Sequence, residues 1–320
     1  MGNGGVGVRD LSSWEVVVLY GGIGPERAVS IESGKAVEVS LKKHPRLKVR
    51  ACCLDTPELP DGLGSSHQIV FPMLHGAFGE DGTLQNLLSE RGISFVGSGA
   101  EASALCMHKF RTIERVKGLG IACADSIAFS GDSVPLADAV IEQLGESLVL
   151  KPSDSGSSHG LKMIDNRSSL GVALSQIDSG NWMIEQRLWG RELSIGLLGN
   201  EPLEIVEIQT DRAAFDYYAK YESSETQRIC PADLPSAIAL TIAEQAQAIF
   251  VACGCCDCAR IDFILVEDQP YFLEVNTIPG MSEHSLLPLS ARARGIDFDA
   301  LILKMLTLAM DRSEALNPID

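Results

Sequence analysis

The sequence predicts an α/β protein that opens with a small parallel-sheet domain and later folds back into a β-hairpin. Three observations carry this expectation. Residues 15–97 alternate short apolar runs with segments of helical period, the βαβ rhythm of a parallel sheet. Farther on, the apolar runs 261–266 and 271–275 flank the polar Glu267, Asp268 and Gln269, the pattern of two strands joined by a short loop. The 320 residues are 45% hydrophobic and 22% charged, enough to bury the cores of two or three domains.

The first strand is expected at 15–20, a valine-rich run ended by Gly21-Gly22. Gly24-Pro25-Glu26-Arg27 then leads into a helix over 29–43. A strand, a glycine turn and a polar residue at a helix entrance is how an open α/β sheet presents a ligand. Glu26 therefore reads as a ligand contact or as a helix-start acid favoured by the macrodipole. Strands follow at 48–54 and 68–74. A loop with His75, Glu80 and Asp81 among three glycines precedes a helix over 82–91 and resembles a site loop more than a plain turn. Gly97-Ser98-Gly99 marks the first boundary, placing a domain at residues 1–98.

A helical stretch over 100–120 carries Lys109, which alone reads equally as a surface charge. After a strand at 126–129 and a helix at 134–144, the apolar strand 147–152 ends in Lys151-Pro152, and proline stops further pairing there. The run of serines and glycines at 153–160 offers backbone N–H groups and hydroxyls to phosphate oxygens, or serves as a linker. Before the strand 161–164 it reads as a hairpin flap. A helix over 167–177 and a strand at 182–185 complete a central domain, 99–183. The connection 185–192 can meet a nucleobase through its backbone and a ribose through a carboxylate. Residues 184–320 form the last domain, with strands at 193–198 and 203–208. A polar segment reaching 234 reads as a lid, and a helix over 235–253 leads into the hairpin. Two helices close the chain.

In the hairpin, a pairing centred on Asp268 sets Asp262 opposite Glu274, with Asn276 on the same face. Opposed carboxylates repel unless a proton or cation lies between them. Oxygen ligands with positions left for water and phosphate suit Mg²⁺. A solvated acidic hairpin is the alternative.

Charge and cysteine usage narrow the partners. A net charge of −17 argues against nucleic acid or an anionic membrane surface. No apolar window is long enough to span a bilayer and no secretion signal opens the chain, so a cytoplasmic location is expected. The nine cysteines then read as reduced thiols. Cys253, Cys255, Cys256 and Cys258 form two overlapping Cys-x-x-Cys pairs without a second ligand pair at zinc-site spacing. Gly2, Gly4 and Gly7 match a dinucleotide fingerprint that no strand can precede.

The motifs GGIGPERAVSIESG, HGAFGEDG, KPSDSGSSHG, EQRLWGRE, FDYYAKYE, ARIDF and LEVNTIPGMSEHSLLP, in this order, resemble those of the D-alanine:D-alanine ligases, members of the ATP-grasp enzymes. The likeness runs over 16–310. It implies an N-terminal α/β domain followed by two domains that hold ATP between them. It also implies ATP contacts from Lys109, Lys151, Ser157, Ser158, Glu185, Arg187, Leu188, Glu192 and Lys220, and two Mg²⁺ ions, with Mn²⁺ as a substitute, on Asp262, Glu274 and Asn276.

On the same resemblance Glu26 anchors the ammonium of the first D-alanine in a hydrogen-bonded set with Ser157 and Tyr221. His75 joins the substrate site, and Ser285 with the Leu286 backbone takes the second carboxylate. Arg260 and the Gly280 N–H hold the oxyanion. The implied reaction phosphorylates one D-alanine to an acyl phosphate that the amine of a second attacks, and a homodimer is the implied assembly. Ile23-Gly24-Pro25 and His159 depart from the family pattern without removing an implied role. Tyr221 in Ala-Lys-Tyr favours an amine acceptor over D-lactate.

Overall fold

The computed structural model describes residues 14–65, 67–156, 160–210 and 226–316. Ser157, Ser158, His159, Lys220 and Tyr221, and with them most of the expected flap tip and lid, lie outside the described residues.

The first sheet is parallel, in the order β2-β1-β3-β4, from β1 (Glu15–Gly21), β2 (Lys48–Leu54), β3 (Gln68–Pro72) and β4 (Ser94–Phe95). Its central strand is apolar at consecutive positions because both faces are covered. Val16 and Val18 join one core, Val17 and Leu19 another. Helix α1 (Arg27–Lys42) covers one face, and α2 (Thr83–Glu90) packs Leu84 and Leu88 on the other.

The expected single helix over 100–120 is two: α3 (Ala100–Met107) and α4 (Lys109–Lys117). They part at His108, whose ψ of 90° leaves helical space. The break is anchored from outside. The Lys109 N–H donates to Ser153 O at 2.7 Å, while His108 Nδ1 caps α4 by accepting from the Arg111 N–H at 3.4 Å. Lys109 is thereby set at a helix start facing a cleft.

The second sheet is antiparallel, in the order β5-β8-β6-β7, from β5 (Ser126–Ser130), β6 (Leu148–Pro152), β7 (Lys162–Ile164) and β8 (Asn181–Gln186). Helices α5 (Ala137–Leu144) and α6 (Arg167–Leu174) bury Val140, Leu144, Leu170 and Leu174 against Leu148, Leu150 and Ile184. Asn166 starts α6 with a capping box.

The third sheet runs β11-β10-β9-β12-β13, with β9 (Arg191–Leu198), β10 (Glu201–Gln209), β11 (Gln227–Ile229), β12 (Cys258–Val266) and β13 (Gln269–Asn276). Part of the segment expected as a lid is thus a strand, because 227–229 finds the free edge of β10. On one face lie α7 (Ser236–Ala252) and α4. On the other, α8 (Leu286–Ala293) and α9 (Phe298–Leu316) share a core with the first sheet.

The hairpin pairs Asp262 with Glu274 as expected, but by a different construction. Val266 pairs with Gln269 across a two-residue turn, not three, and a β-bulge between Asp262 and Phe263 restores the offset. The turn holds Glu267 at φ 53°, in the left-handed region.

Candidate active site

Two cavities meet between the three sheets. One, of about 40 Å³, is lined by Glu26, His75, Glu80, Lys109, Arg260 and Gly280 among others. The second, about 420 Å³, lies between the second and third sheets and is lined by Lys151, Glu185, Arg187, Leu188 and Glu192 together with Val149, Met163 and Phe272. Lys109 and Glu274 line both.

Glu26 occupies the N-cap of α1, but its side chain makes no capping bond. It is buried, with Gly76 and Gly156 against its carboxylate. A Cβ built on Gly76 would stand 2.6 Å from Glu26 Oε2, and one on Gly156 3.3 Å away. Glu26 thus stands at a helix start, where the macrodipole favours an acid, and also lines a cavity, with a glycine from each of two separate loops against its carboxylate. Gly76 also needs its φ of +73°, which other residues rarely adopt.

Glu80 and His75 complete that wall, and Glu80 is a residue of the expected site loop to which the sequence assigned no role of its own. Glu80 Oε2 accepts from the Gly76 N–H at 2.7 Å. Burial and then the nearby Glu26 push its carboxyl up to about 8, so it holds its proton at neutral pH. The wall thus avoids presenting two full negative charges. Burial pulls the His75 imidazole down to about 4, so it is neutral, and its Nε2 has no hydrogen-bond partner among the described residues. The sequence signal was available: Glu80 lies four residues beyond Gly76 in a glycine-dense loop at a strand end.

Across the cavity, Arg260 donates through Nε to Asp262 Oδ1 at 2.9 Å and through an Nη to Oδ2 at 2.8 Å. Asp262 also accepts from Ser194 Oγ at 2.6 Å and Asn276 Nδ2 at 3.2 Å. It lies buried beneath the guanidinium, whereas Glu274 keeps about 20% of its side chain exposed, toward both cavities, with Lys109 Nζ at 3.9 Å. The three expected metal ligands are adjacent. Two carboxylates and an amide oxygen are a hard donor set, and they fit Mg²⁺ or Mn²⁺. Among the described residues no group of three or more His, Cys, Asp or Glu side chains has metal-binding geometry, as expected of a set with two acids only.

In the larger cavity Lys151 and Glu185 form a buried ion pair across neighbouring strands. Lys109 Nζ also donates to Ser155 O, holding the near end of the flap. Arg187 is pinned by Asp165 at 3.1 Å and lies 3.8 Å from the centre of the Trp189 ring. Glu192 is on β9, opposite Ile264. Ser285 lines neither cavity but sits directly behind Gly280, whose Cβ would approach Ser285 Oγ to 2.9 Å. Ser285 starts α8, so the N–H groups of Leu286 and its neighbours form a helix N-terminus there, suited to a carboxylate.

An antiparallel sheet and its neighbour clasping a mixed polar and apolar cleft, beside a parallel-sheet unit, is the ATP-grasp architecture. A D-alanine--D-alanine ligase of Bacillus anthracis solved in complex with ATP superposes with a TM-score of 0.84 at 26% identity, covering 95% of this chain and all of that one. The VanG D-Ala:D-Ser ligase of Enterococcus faecalis matches with a TM-score of 0.82 at 27% identity, covering 92% and 99%. The D-ala D-ala ligase C-terminus model matches residues 116–307, and the N-terminus model residues 57–98. D-alanine--D-alanine ligases of Dechloromonas aromatica and Nitrosomonas europaea are 37% and 38% identical, over 92% and 93% of this chain and 97% of each relative. The chain belongs to the D-alanine--D-alanine ligase family.

Proposed function

We propose that this protein joins two D-alanine molecules into D-alanyl-D-alanine through an acyl phosphate, releasing ADP and phosphate, for peptidoglycan precursor synthesis. The observation that carries the reading is the junction of the two cavities at Lys109 and Glu274. A nucleotide in the larger cavity then directs its terminal phosphate at a small molecule in the other. Val149, Met163 and Leu188 supply the apolar walls an adenine needs, and Glu192 a carboxylate for a ribose.

The chain's own groups divide the work. Glu26 receives the ammonium of the first D-alanine, beside a neutral Glu80 and a neutral His75. Lys109 and Lys151, with Lys220 from outside the described residues, spread the charge of the phosphates. Arg260 and the Gly280 N–H face the carbon under attack and hold its oxyanion. Ser285 and the start of α8 bind the second carboxylate, and Ser157 and Tyr221 complete the set around Glu26. Mg²⁺ or Mn²⁺ on Asp262, Glu274 and Asn276 would supply Lewis-acid neutralisation of the phosphate oxygens. We further propose units at 1–98, 99–183 and 184–320, a cytoplasmic homodimer, and no nucleic-acid or membrane partner. Among the described residues no helix is long and apolar enough to cross a membrane.

A panel of D-alanine, D-serine and D-lactate as acceptors, with ATP and Mg²⁺, scored by product mass, tests the reading. D-alanyl-D-alanine is the expected product. The solved D-Ala:D-Ser ligase makes D-serine the comparison that matters most, and a preference for D-serine or D-lactate would overturn the acceptor assignment.

A further inference from the structure

Helix α1 starts at Glu26 and turns one face inward, with Ser30, Ser33, Val37 and Leu41 buried along it. At its far end that face is apolar, and Val37 and Leu41 join the core shared with the third sheet. Nearer Glu26 it carries two serines. Serine inside a helix competes with the helix's own backbone bonds, and a buried hydroxyl costs free energy unless it finds a partner. Ser30 and Ser33 are both 0% exposed, and both find partners outside the helix.

Ser30 accepts from the Gly21 N–H at 2.7 Å and donates to Met73 O. It thereby ties the end of β1 to the residue after β3, the two points from which the loops bearing Glu26 and His75 depart. Ser33, one turn farther along, accepts from the Met281 N–H at 3.0 Å. That bond joins a helix of the first sheet to the loop that follows β13.

Met281 adjoins Gly280, whose N–H is the proposed oxyanion donor. Glycine brings no side chain to hold its own peptide planes. None could be added here, because a Cβ on Gly280 would stand 2.9 Å from Ser285 Oγ. The orientation of Gly280 must therefore come from its neighbours. Met281 supplies it twice, through a side chain wholly buried in the shared core and through an N–H fixed on Ser33. Ser285 follows the same anchor. The Ser282 N–H donates to Ser285 Oγ at 2.9 Å and the Ser285 N–H to Ser282 O at 3.1 Å, which closes 280–285 into one turn. The helix is equally fixed on its own side, since a Cβ on Gly34 would lie 2.4 Å from the Tyr20 ring.

We propose that Ser33 is a positioning residue: its buried bond to the Met281 N–H sets the turn carrying Gly280 and Ser285 at a fixed distance from Glu26. The acceptor carboxylate and the oxyanion are then registered to the same helix that holds the first ammonium. Ser33 lines neither cavity and acts through the backbone alone. Without its hydroxyl a buried N–H loses its acceptor, and the turn can settle elsewhere. A misplacement of about 1 Å is enough to cost on the order of a hundredfold in rate.

The kinetic role rests on the proposed ligation; the anchoring of the turn does not. Ser33→Ala is compared with Ser40→Ala, which removes another buried hydroxyl from the same helix, one that donates to Asp299 Oδ1 at 2.7 Å and lines neither cavity. Hydrogen exchange of the peptide covering 277–285, read by mass spectrometry without substrate, reports on the Met281 N–H. Phosphate release with D-alanine and ATP varied in turn gives kcat and a KM for each. Expected in Ser33→Ala are faster exchange in that peptide, a kcat lower by about 10- to 100-fold, a raised KM for D-alanine and an unchanged KM for ATP. Ser40→Ala should lower the melting temperature and leave all four as in the unaltered protein. Ser33→Cys, close to serine in size but a weak acceptor, should fall between.

Unchanged exchange at 277–285 in Ser33→Ala, a kcat loss matched by Ser40→Ala, or a change confined to the KM for ATP would overturn the proposal. If Ser33→Ala does not fold, Ser33→Cys takes its place in the same comparison. Unaltered protein that releases no phosphate with D-alanine would count against the ligation, and exchange at 277–285 would still decide whether Ser33 holds the turn.

Discussion

At Glu26 the chemistry is set by what surrounds the carboxylate. It is buried, bordered by two glycines and beside a protonated Glu80, and it is the group we propose as the ammonium receptor. Glu26→Gln keeps the shape and removes the charge. Charge-assisted hydrogen bonds contribute roughly 1.5–3 kcal/mol, so kcat/KM for D-alanine should fall about 10- to 100-fold with the ATP requirement unchanged in kind. Steady-state kinetics varying D-alanine check this, and an unchanged kcat/KM would remove Glu26 from the substrate site.

Glu80 gives a test by pH. Burial and the neighbouring Glu26 raise its carboxyl from the ordinary 4.5 to about 8 in the folded chain. Between those values the folded state holds more protons than the unfolded one, so its contribution to stability declines as pH rises through this window. His75 acts oppositely and lower: held down to about 4, it costs stability as pH falls from about 6.5. Glu80→Gln should therefore show a flatter fall in melting temperature from pH 5 to pH 8 than the unaltered protein. Parallel profiles would mean that Glu80 is ionised as usual.

At the scale of elements, the hairpin shows how far sequence reasoning reached. Two apolar runs flanking a polar loop located both strands, and symmetry about Asp268 paired Asp262 with Glu274. Yet the true turn has two residues, and the bulge beside Asp262 makes up the difference. Alternation fixes which face a side chain takes but carries no record of a bulge. The break at His108 was equally hidden, since the helical period runs on through it and the cause is a hydrogen bond to Ser153, some 45 positions away. The protonated state of Glu80 was hidden for another reason: a carboxyl's protonation depends on burial and on a partner the chain brings near only by folding. Glu267 makes the turn testable. Exposed and at φ 53°, it carries strain that glycine does not, so Glu267→Gly should stabilise the protein by about 1 kcal/mol without affecting turnover. A lowered melting temperature would contradict this backbone assignment.

At the scale of the molecule, Arg312 on α9 ties the first sheet to the third. Its guanidinium reaches Phe95 O at 3.0 Å, Gly97 O at 3.1 Å and the buried Asp257 at 2.7 Å. Burial raises Asp257 while Arg312 and the Gly97 N–H oppose that rise. Arg312→Met leaves the carboxylate without its cation. Because the guanidinium side chain is 31% exposed, the expected loss is about 2–3 kcal/mol, below the range for fully buried pairs. Denaturant unfolding measures it, and a loss under 0.5 kcal/mol would show that apolar packing in the shared core holds these sheets without the ion pair.

The same shared core positions Glu26 from the first sheet against Arg260 and Glu274 from the third, so the cavity exists only because the sheets are joined. That the two cavities meet at Glu274 is the claim on which the proposed chemistry turns. It is tested most directly by D-alanine-dependent phosphate release from ATP and Mg²⁺, compared between the unaltered protein and Glu274→Gln. Sustained release by the former and a loss of at least a hundredfold in the latter, at an unchanged melting temperature, is the predicted result. Equal rates from the two proteins would contradict it.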